Sequence, residues 1–146
     1  MTGSSSVQRR IDPVEAVLRT TGIALALGTA YIHSTLGGLL FTLNAVGFAT
    51  FAVALVAPIG LVVPGRFAEP LRVLVRLGLL GFAAATVAGW IAFGARFDLG
   101  YYATAIEVAI VVVMALDLER AVGSPMAVAR SVLRLVPSAA RPAVRA

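Results

Sequence analysis

Hydrophobic residues fill four long stretches of the chain, at about 14–35, 39–57, 73–95 and 101–118. Each is close to the ~20 apolar residues that a helix needs to cross the hydrocarbon core of a bilayer. The segments between them are short and carry turn residues: STLGG, PIGLVVPGRFAEP and GARFDLG. Because short connections make successive helices antiparallel neighbours, the pattern predicts an all-α, integral membrane, up-down four-helix bundle over residues 13–121.

The start of the first helix is marked by the sequence DPVE. Asp12 is the predicted N-cap, Pro13 suits the first helical position, and Glu15 stands where a capping box places its acid. Residues 1–12 are predicted to be a disordered cytoplasmic tail. The alternative, a cleaved signal peptide, is disfavoured because the apolar stretch is too long and lacks a small-x-small cleavage site.

Residues 122–146 are predicted to form a cytoplasmic tail that contains a short amphipathic helix at the membrane surface. Ser124 is the predicted cap, followed by Pro125, and Pro137 ends the helix. The apolar positions that share one face are Met126, Ala129, Val132, Leu133 and Val136. Arg130 and Arg134 form a basic i,i+4 pair, which suits anionic lipid headgroups. A solvated helical tail is the alternative interpretation.

Composition supports a membrane protein. Hydrophobic residues make up 60% of the 146 residues and charged residues 13%, against about 45–50% and about 25% in soluble domains. The chain has no cysteine and one histidine, which excludes disulfides, thiolate chemistry and multi-histidine metal sites, so we expect neither metal nor cofactor. Basic residues are all arginine, which with abundant Ala, Val, Leu and Gly suggests a GC-rich bacterial genome.

The net charge of +5 comes from arginines that lie between apolar segments, which indicates lipid and membrane topology rather than nucleic acid. With four crossings, three groups of arginines fall on one side of the membrane: Arg9, Arg10 and Arg19; Arg66, Arg72 and Arg76; Arg120, Arg130, Arg134, Arg141 and Arg145. Arg96 alone falls on the other side. The positive-inside rule therefore predicts a multi-pass protein of the bacterial cytoplasmic membrane with both termini in the cytoplasm.

This topology brings three polar residues to a similar depth in the outer half of the membrane. His33 lies near the external end of the first helix, and Asn44 about a turn and a half into the second. Glu107 lies nearly two turns into the fourth, roughly 9 Å from its start. A carboxylate within a crossing costs about 2.5–3.5 kcal/mol and is a functional-site hypothesis by default. The cluster is a ligand or proton site, a set of structural interhelical bonds, or a contact with another subunit.

The remaining charged residues near the cytoplasmic ends of the helices are predicted to reach water. Arg76, about a turn inside the third helix, is expected to extend to the lipid headgroups. Asp117 and Glu119, beside Arg120, are expected at a solvated boundary. An interfacial belt of aromatic residues is predicted at the external ends of the helices: Tyr31, Trp90, Phe93, Tyr101 and Tyr102.

Small residues recur at helical spacing on two of the predicted helices. Gly22, Ala26 and Ala30 share a face with His33 in the first helix, which predicts that this histidine points into protein. The third helix carries a stripe at strict i,i+4 spacing: Gly81, Ala85 and Gly89. Such faces let helices approach closely within lipid, where packing replaces the hydrophobic drive.

Two stretches, YIHSTLGGLLFTLNAVGF and GARFDLGYYATAIEVAIVVVMAL, resemble small four-helix integral membrane proteins of GC-rich bacteria. The shared pattern is a histidine ending the first helix, GLLFTLNA opening the second, and a glutamate early in the fourth. The resemblance implies a four-helix fold and carries over only His33, Asn44 and Glu107 as matching polar positions. It assigns no activity, and both tails lie outside it.

No catalytic motif is present. GLVVPGRF lacks the lysine of a phosphate-binding loop, and Ser34 is a sequence neighbour of His33 rather than a positioned nucleophile. We therefore predict a small non-enzymatic protein, an accessory or structural component of a membrane complex or a homo-oligomer. The alternative is a small transport or ligand-binding bundle with a proton-linked Glu107–His33 site, although no helix has the central proline break of many transporters. A membrane enzyme acting on lipid is a third, weaker class.

Overall fold

The computed structural model describes residues 12–124, together with residues 127 and 130. Regular structure in this part of the chain is entirely helical, which confirms the predicted all-α class. The five helices are α1 (Pro13–Leu36), α2 (Leu39–Val56), α3 (Ile59–Val62), α4 (Gly65–Phe93) and α5 (Asp98–Val122). Three of them, α2, α4 and α5, are long and apolar enough to cross a membrane.

Helix α4 begins at Gly65, about two turns before the predicted start near residue 73. Gly65 and Pro70 are residues typical of turns, which is why the sequence predicts a connection here. Pro70 nevertheless lies inside the helix, because a proline near the start removes only one intrahelical hydrogen bond and the packing of the following apolar turns outweighs that loss.

Local signals explain how α1 begins and how it connects to α2. The Asp12 side chain accepts a hydrogen bond from the Val14 N–H at 3.0 Å, as its predicted N-cap role requires. At the other end, Gly37 and Gly38 have φ angles of +68° and +88°. Glycine tolerates this left-handed region without strain, so the chain reverses within two residues and α2 runs antiparallel to α1.

Each long helix packs against two others: α1 against α2 and α5, and α4 against α5 and α2. The side chains that fill the centre are Ala26, Phe48, Ala52, Leu79, Ala83, Ile110 and Met114. The predicted inward face of α1 is confirmed, because Gly22, Ala26, Ala30 and His33 are all buried. Gly22 contacts the Met114 side chain so closely that a Cβ at this position would displace it.

The start of α1 and the end of α5 lie together at one end of the molecule, so the two helices are antiparallel. Arg120 near the end of α5 donates to Asp12 before α1 at 2.9 Å. We call this the tail end, since both ends of the described chain lie there. The opposite end, which holds the Gly37–Gly38 turn, is called the turn end.

A buried ion-pair network at the tail end contradicts the prediction that Arg76 and Asp117 reach water. Their exposed fractions are 3% and 0%. Arg76 Nε donates to Asp117 Oδ2 at 2.7 Å, and Arg76 Nη2 donates to Glu15 Oε1 at 2.9 Å. Opposite charges at one depth satisfy each other, which removes the need to extend to the headgroups. Glu119 and Arg120 are exposed, as predicted.

Glu15 also accepts a hydrogen bond from Arg19 at 2.9 Å. Its carboxylate therefore accepts hydrogen bonds from two arginines, Arg19 and Arg76, instead of completing the predicted capping box. The network extends over three helices, α1, α4 and α5, at the tail end.

The small-residue stripe on α4 is exposed within this chain. Gly81, Ala85 and Gly89 are all exposed, and Ala85 and Gly89 border a cavity. No neighbouring atom lies within 4 Å of a Cβ built at Gly81 or Gly89. The close packing expected along this stripe is therefore not made by the described helices.

Part of the predicted C-terminal helix can be compared with the structure. Ser124 Oγ accepts a hydrogen bond from the Ala127 N–H at 3.2 Å, in keeping with its predicted capping role. Arg130 is helical and exposed. Arg134 and most of the predicted lipid-facing helix, like the predicted tail over residues 1–11, lie outside the described residues.

Candidate functional site: a cavity at the turn end

The three polar residues singled out in the sequence line one cavity at the turn end, with a volume of about 500 Å³. His33 comes from the last turns of α1, Asn44 from the first half of α2, and Glu107 from the first half of α5. The rest of the wall is mostly apolar and aromatic, and its large side chains are Leu36, Leu40, Phe41, Phe82, Trp90, Phe93 and Phe97.

His33 and Glu107 form a buried pair at the inner side of this cavity. His33 Nε2 lies 3.5 Å from Glu107 Oε1, and the two residues are only 6% and 2% exposed. The imidazole lies between Phe41 and Phe48, with ring centroids 5.9 Å from each. The acid and the imidazole therefore meet in apolar surroundings, where each is the polar partner of the other.

The other ring nitrogen of His33 is bonded to the backbone of its own helix. His33 Nδ1 lies 2.9 Å from the Thr29 backbone oxygen. A carbonyl oxygen only accepts, so Nδ1 carries a hydrogen and donates it. This hydrogen bond fixes the orientation of the ring and leaves Nε2 facing Glu107 Oε1.

Thr29 also belongs to the cluster and is not among the residues predicted from the sequence. It is fully buried, and its hydroxyl donates to Glu107 Oε1 at 3.4 Å. Thr29 precedes His33 by one helical turn, so the two share the inward face of α1. That i,i+4 spacing from the only histidine was the signal that could have identified it.

Asn44 lines the same cavity from α2 without joining the cluster. Its side chain is half-buried, and its amide makes no hydrogen bond to any described residue. Of the three predicted residues, the structure therefore joins His33 and Glu107 directly, and it places Asn44 on the wall with free donor and acceptor capacity.

Trp90, predicted as an interfacial anchor, also lines the cavity. Its indole packs edge-on against Tyr101 with a centroid distance of 4.9 Å. The Arg96 guanidinium lies 4.3 Å from its ring centroid. Trp90 Nε1 is buried and has no hydrogen-bond partner among the described residues. The cavity wall therefore contains an unsatisfied donor as well as the acid–imidazole pair.

The other predicted belt residues lie around the turn end with exposed rings. Phe93, Tyr31, Tyr101 and Tyr102 are all more than half exposed. Within the described chain, no group of three or more histidine, cysteine, aspartate or glutamate side chains is arranged to hold a metal ion.

The fold and cavity together define an all-helical protein with membrane-length helices and a mostly apolar cavity that holds one acid–imidazole pair. No protein-family model, curated protein or solved structure matches this chain. The resemblance drawn from the two sequence stretches therefore stays a prediction.

Proposed function

We propose that the protein is a multi-pass protein of the bacterial cytoplasmic membrane, an up-down four-helix bundle that binds a small neutral amphiphile in the turn-end cavity. Helix α1 provides the fourth crossing. It has 24 residues, its buried polar residues are Thr29 and His33, and its outward face carries apolar side chains such as Val17 and Leu27. The exposed Thr20 and Thr21 are uncharged hydroxyl residues, so the helix is compatible with lipid.

The Asp12–Arg120 ion pair supports an even number of crossings, because it holds the start of α1 and the end of α5 at the same end. Among the described residues, Arg19, Arg76 and Arg120 lie in the ion pairs of this tail end, so the positive-inside rule assigns it to the cytoplasm. The turn-end cavity then lies in the outer half of the membrane.

The observation that carries the proposed binding function is the cavity itself, which is apolar over most of its wall and polar at the His33–Glu107 pair and the Asn44 amide. Ligand sites commonly combine such walls with a few convergent polar groups. The ionisable side chains among the described residues of the wall are His33 and Glu107, which face each other. The pair therefore offers hydrogen-bonding groups to a ligand, and the wall presents no unpaired ionisable group to an ion. A ligand with an apolar body and one hydroxyl or carbonyl group fits this arrangement. We propose binding rather than catalysis, since the described wall holds no activated nucleophile.

Trp90 gives a direct assay, because it is the only tryptophan in the chain and lies on the cavity wall. The purified protein in detergent micelles is titrated with bromoundecanol, whose bromine quenches indole fluorescence, and with bromoundecane, which lacks the hydroxyl. We expect saturable quenching with a preference for the alcohol. Replacement of Glu107 by Leu removes the polar partner and reduces that preference about tenfold, equivalent to ~1.4 kcal/mol.

Glu119→Leu is the matched control, since it makes the same change on the exposed tail end of α5. It should bind both probes as the wild type does. Glu107→Gln, which keeps the volume and hydrogen-bonding groups, is the second variant if Glu107→Leu alters the helical circular dichroism spectrum. Identical probe preference in wild type and Glu107→Leu, or quenching that never saturates, would contradict ligand binding and leave His33–Glu107 as a structural interhelical pair.

A second candidate function is an accessory role in a larger membrane complex, and the exposed α4 stripe favours it. Gly81 and Gly89 leave a surface on which another transmembrane helix could pack closely. Gly81→Leu should then release a co-purified membrane protein in mild detergent. It should leave bromoundecanol binding unchanged, because Gly81, unlike Gly89, does not line the turn-end cavity. If no partner is present in the wild-type preparation, this role is ruled out under those conditions.

A further inference from the structure

A second cavity, of about 230 Å³, lies at the tail end, far from the His33–Glu107 pair. Three guanidinium groups line it: Arg19 from α1, and Arg72 and Arg76 from α4. The rest of its wall is the end of α2, the start of α3 and Val75. No carboxylate is among the described residues that line it. The carboxylates that pair with these arginines, Glu15, Glu69 and Asp117, lie outside the lining.

Acidic partners on the far side hold Arg76 in place. Arg76 donates a hydrogen bond from Nε to Asp117 and another from Nη2 to Glu15. Its third nitrogen, Nη1, has no hydrogen-bond partner among the described residues. The side chain is only 4% exposed. A buried guanidinium fixed on two edges and unsatisfied on the third is preorganised to donate to an acceptor within the cavity.

Arg19 and Arg72 border the same space and are accessible from outside, with side-chain exposures of 36% and 38%. Each uses one terminal nitrogen, Arg19 toward Glu15 and Arg72 toward Glu69. Their remaining N–H groups donate to no other described residue. Three guanidiniums therefore direct unused donors toward one opening.

The geometry points to binding of a phosphate group in this cavity. Guanidiniums bind phosphate oxygens through short, charge-assisted and often bidentate hydrogen bonds. Each guanidinium also pairs with a carboxylate outside the cavity lining, Glu15, Glu69 or Asp117. Phosphate binding therefore rests on the unused N–H donors of the guanidiniums rather than on an excess of positive charge. The volume is below the ~300–1,000 Å³ of typical small-molecule pockets, which suits a headgroup rather than a larger ligand.

An anionic phospholipid headgroup and free inorganic phosphate both carry phosphate oxygens that can accept hydrogen bonds from these guanidiniums. The inference does not depend on the proposed function, because it uses different residues at the opposite end of the molecule. It also differs from the predicted surface role of Arg130 and Arg134, which needs only a basic helix face.

The test uses the full-length protein, delipidated in detergent micelles. One arm adds phosphatidylglycerol or the phosphate-free diacylglycerol and measures bound lipid by native mass spectrometry. The other arm adds inorganic phosphate as a competitor, with chloride at the same ionic strength as its control. We expect saturable binding of phosphatidylglycerol but not of diacylglycerol, and about tenfold weaker binding in Arg72→Gln, the loss of one charge-assisted contact.

Arg120→Gln is the matched control, because it removes the same charge from the same end without touching the cavity. Arg19→Gln is the second variant if Arg72→Gln unfolds more readily than wild type. Displacement of the lipid by inorganic phosphate would show that the cavity also takes free phosphate, and its absence would assign the site to a lipid headgroup. Equal lipid binding in wild type and both cavity variants, or an equal loss in Arg120→Gln, overturns the inference.

Discussion

The buried arginine at the tail end offers the sharpest test of what holds the helices together. In Arg76→Met, the apolar stem of the side chain is retained and the charge is lost. Asp117, which is fully buried, then has no cation beside Oδ2, and its Oδ1 already lacks a hydrogen-bond partner in the described chain. The variant therefore contains an uncompensated buried carboxylate.

Breaking a buried ion pair by removing one partner typically costs about 3–5 kcal/mol. We expect a loss of this size in the free energy of unfolding of Arg76→Met. Arg72 is the internal control, because it lies one turn earlier on α4 and pairs with Glu69 at the surface. Exposed pairs contribute about 0–1 kcal/mol, so Arg72→Met should lose at most ~1 kcal/mol.

Unfolding is followed by circular dichroism in mild-detergent micelles as the mole fraction of sodium dodecyl sulfate is raised. The double variant Arg76→Met with Asp117→Leu removes both charges. Glu15 keeps its ion pair with Arg19, and apolar replacements of buried pairs are often neutral or stabilising. The double variant should therefore return to within about 1 kcal/mol of wild type.

Two results would refute this reasoning. If Arg76→Met and Arg72→Met lose equal stability, burial of Arg76 is not the cause of the effect. If the double variant is less stable than Arg76→Met alone, the damage comes from lost contacts of the two side chains rather than from the unpaired carboxylate.

Two further predictions concern packing and pH. Gly22→Leu should lower stability by about 1–3 kcal/mol because the new side chain displaces Met114, whereas Gly28→Leu, with open space around it, should lose far less in the same unfolding assay. For Asp12, the Arg120 hydrogen bond, together with the Val14 N–H, lowers the carboxyl pKa below its ordinary value of 3.8. Folding then gains stability above that ordinary value and loses it as the pH falls through the lowered pKa. Asp12→Asn keeps a good cap but lacks this dependence, so the wild-type advantage should disappear in acid, and a difference independent of pH would contradict the role of the charge.

Much of the candidate site could be predicted from the sequence because depth along a helix can be counted in residues. His33 and Glu107 meet as expected from antiparallel helices of known length. Asn44 has the predicted depth but a different rotation about its helix axis, so it lines the cavity without reaching the pair. The rotation of a helix about its axis depends on how its neighbours pack against it. Helix α2 is almost uniformly apolar, so its pattern of hydrophobic and polar residues does not show which face is buried.

Arg76 and Asp117 also lie at one depth when residues are counted along their helices, although each is predicted separately to reach water. Arg76 has a long side chain and Asp117 lies near the end of its helix, so either could reach the lipid headgroups. The sequence therefore allows both a solvated position and a buried ion pair. Only the contact between α4 and α5 shows that an opposite charge is available at the same level.

The sequence by itself determined the four long helices apart from the early start of α4, together with the inward small-residue face of α1 and the cap at Asp12. These features depend on residues close together in the chain, whereas the short helix α3 was not predicted. The tertiary structure alone decided which helices touch, that Thr29 joins the His33–Glu107 pair, and that three arginines surround a cavity at the tail end. Those features join residues from separate helices. Their energies depend on rotation, spacing and burial, which are set only when the helices pack.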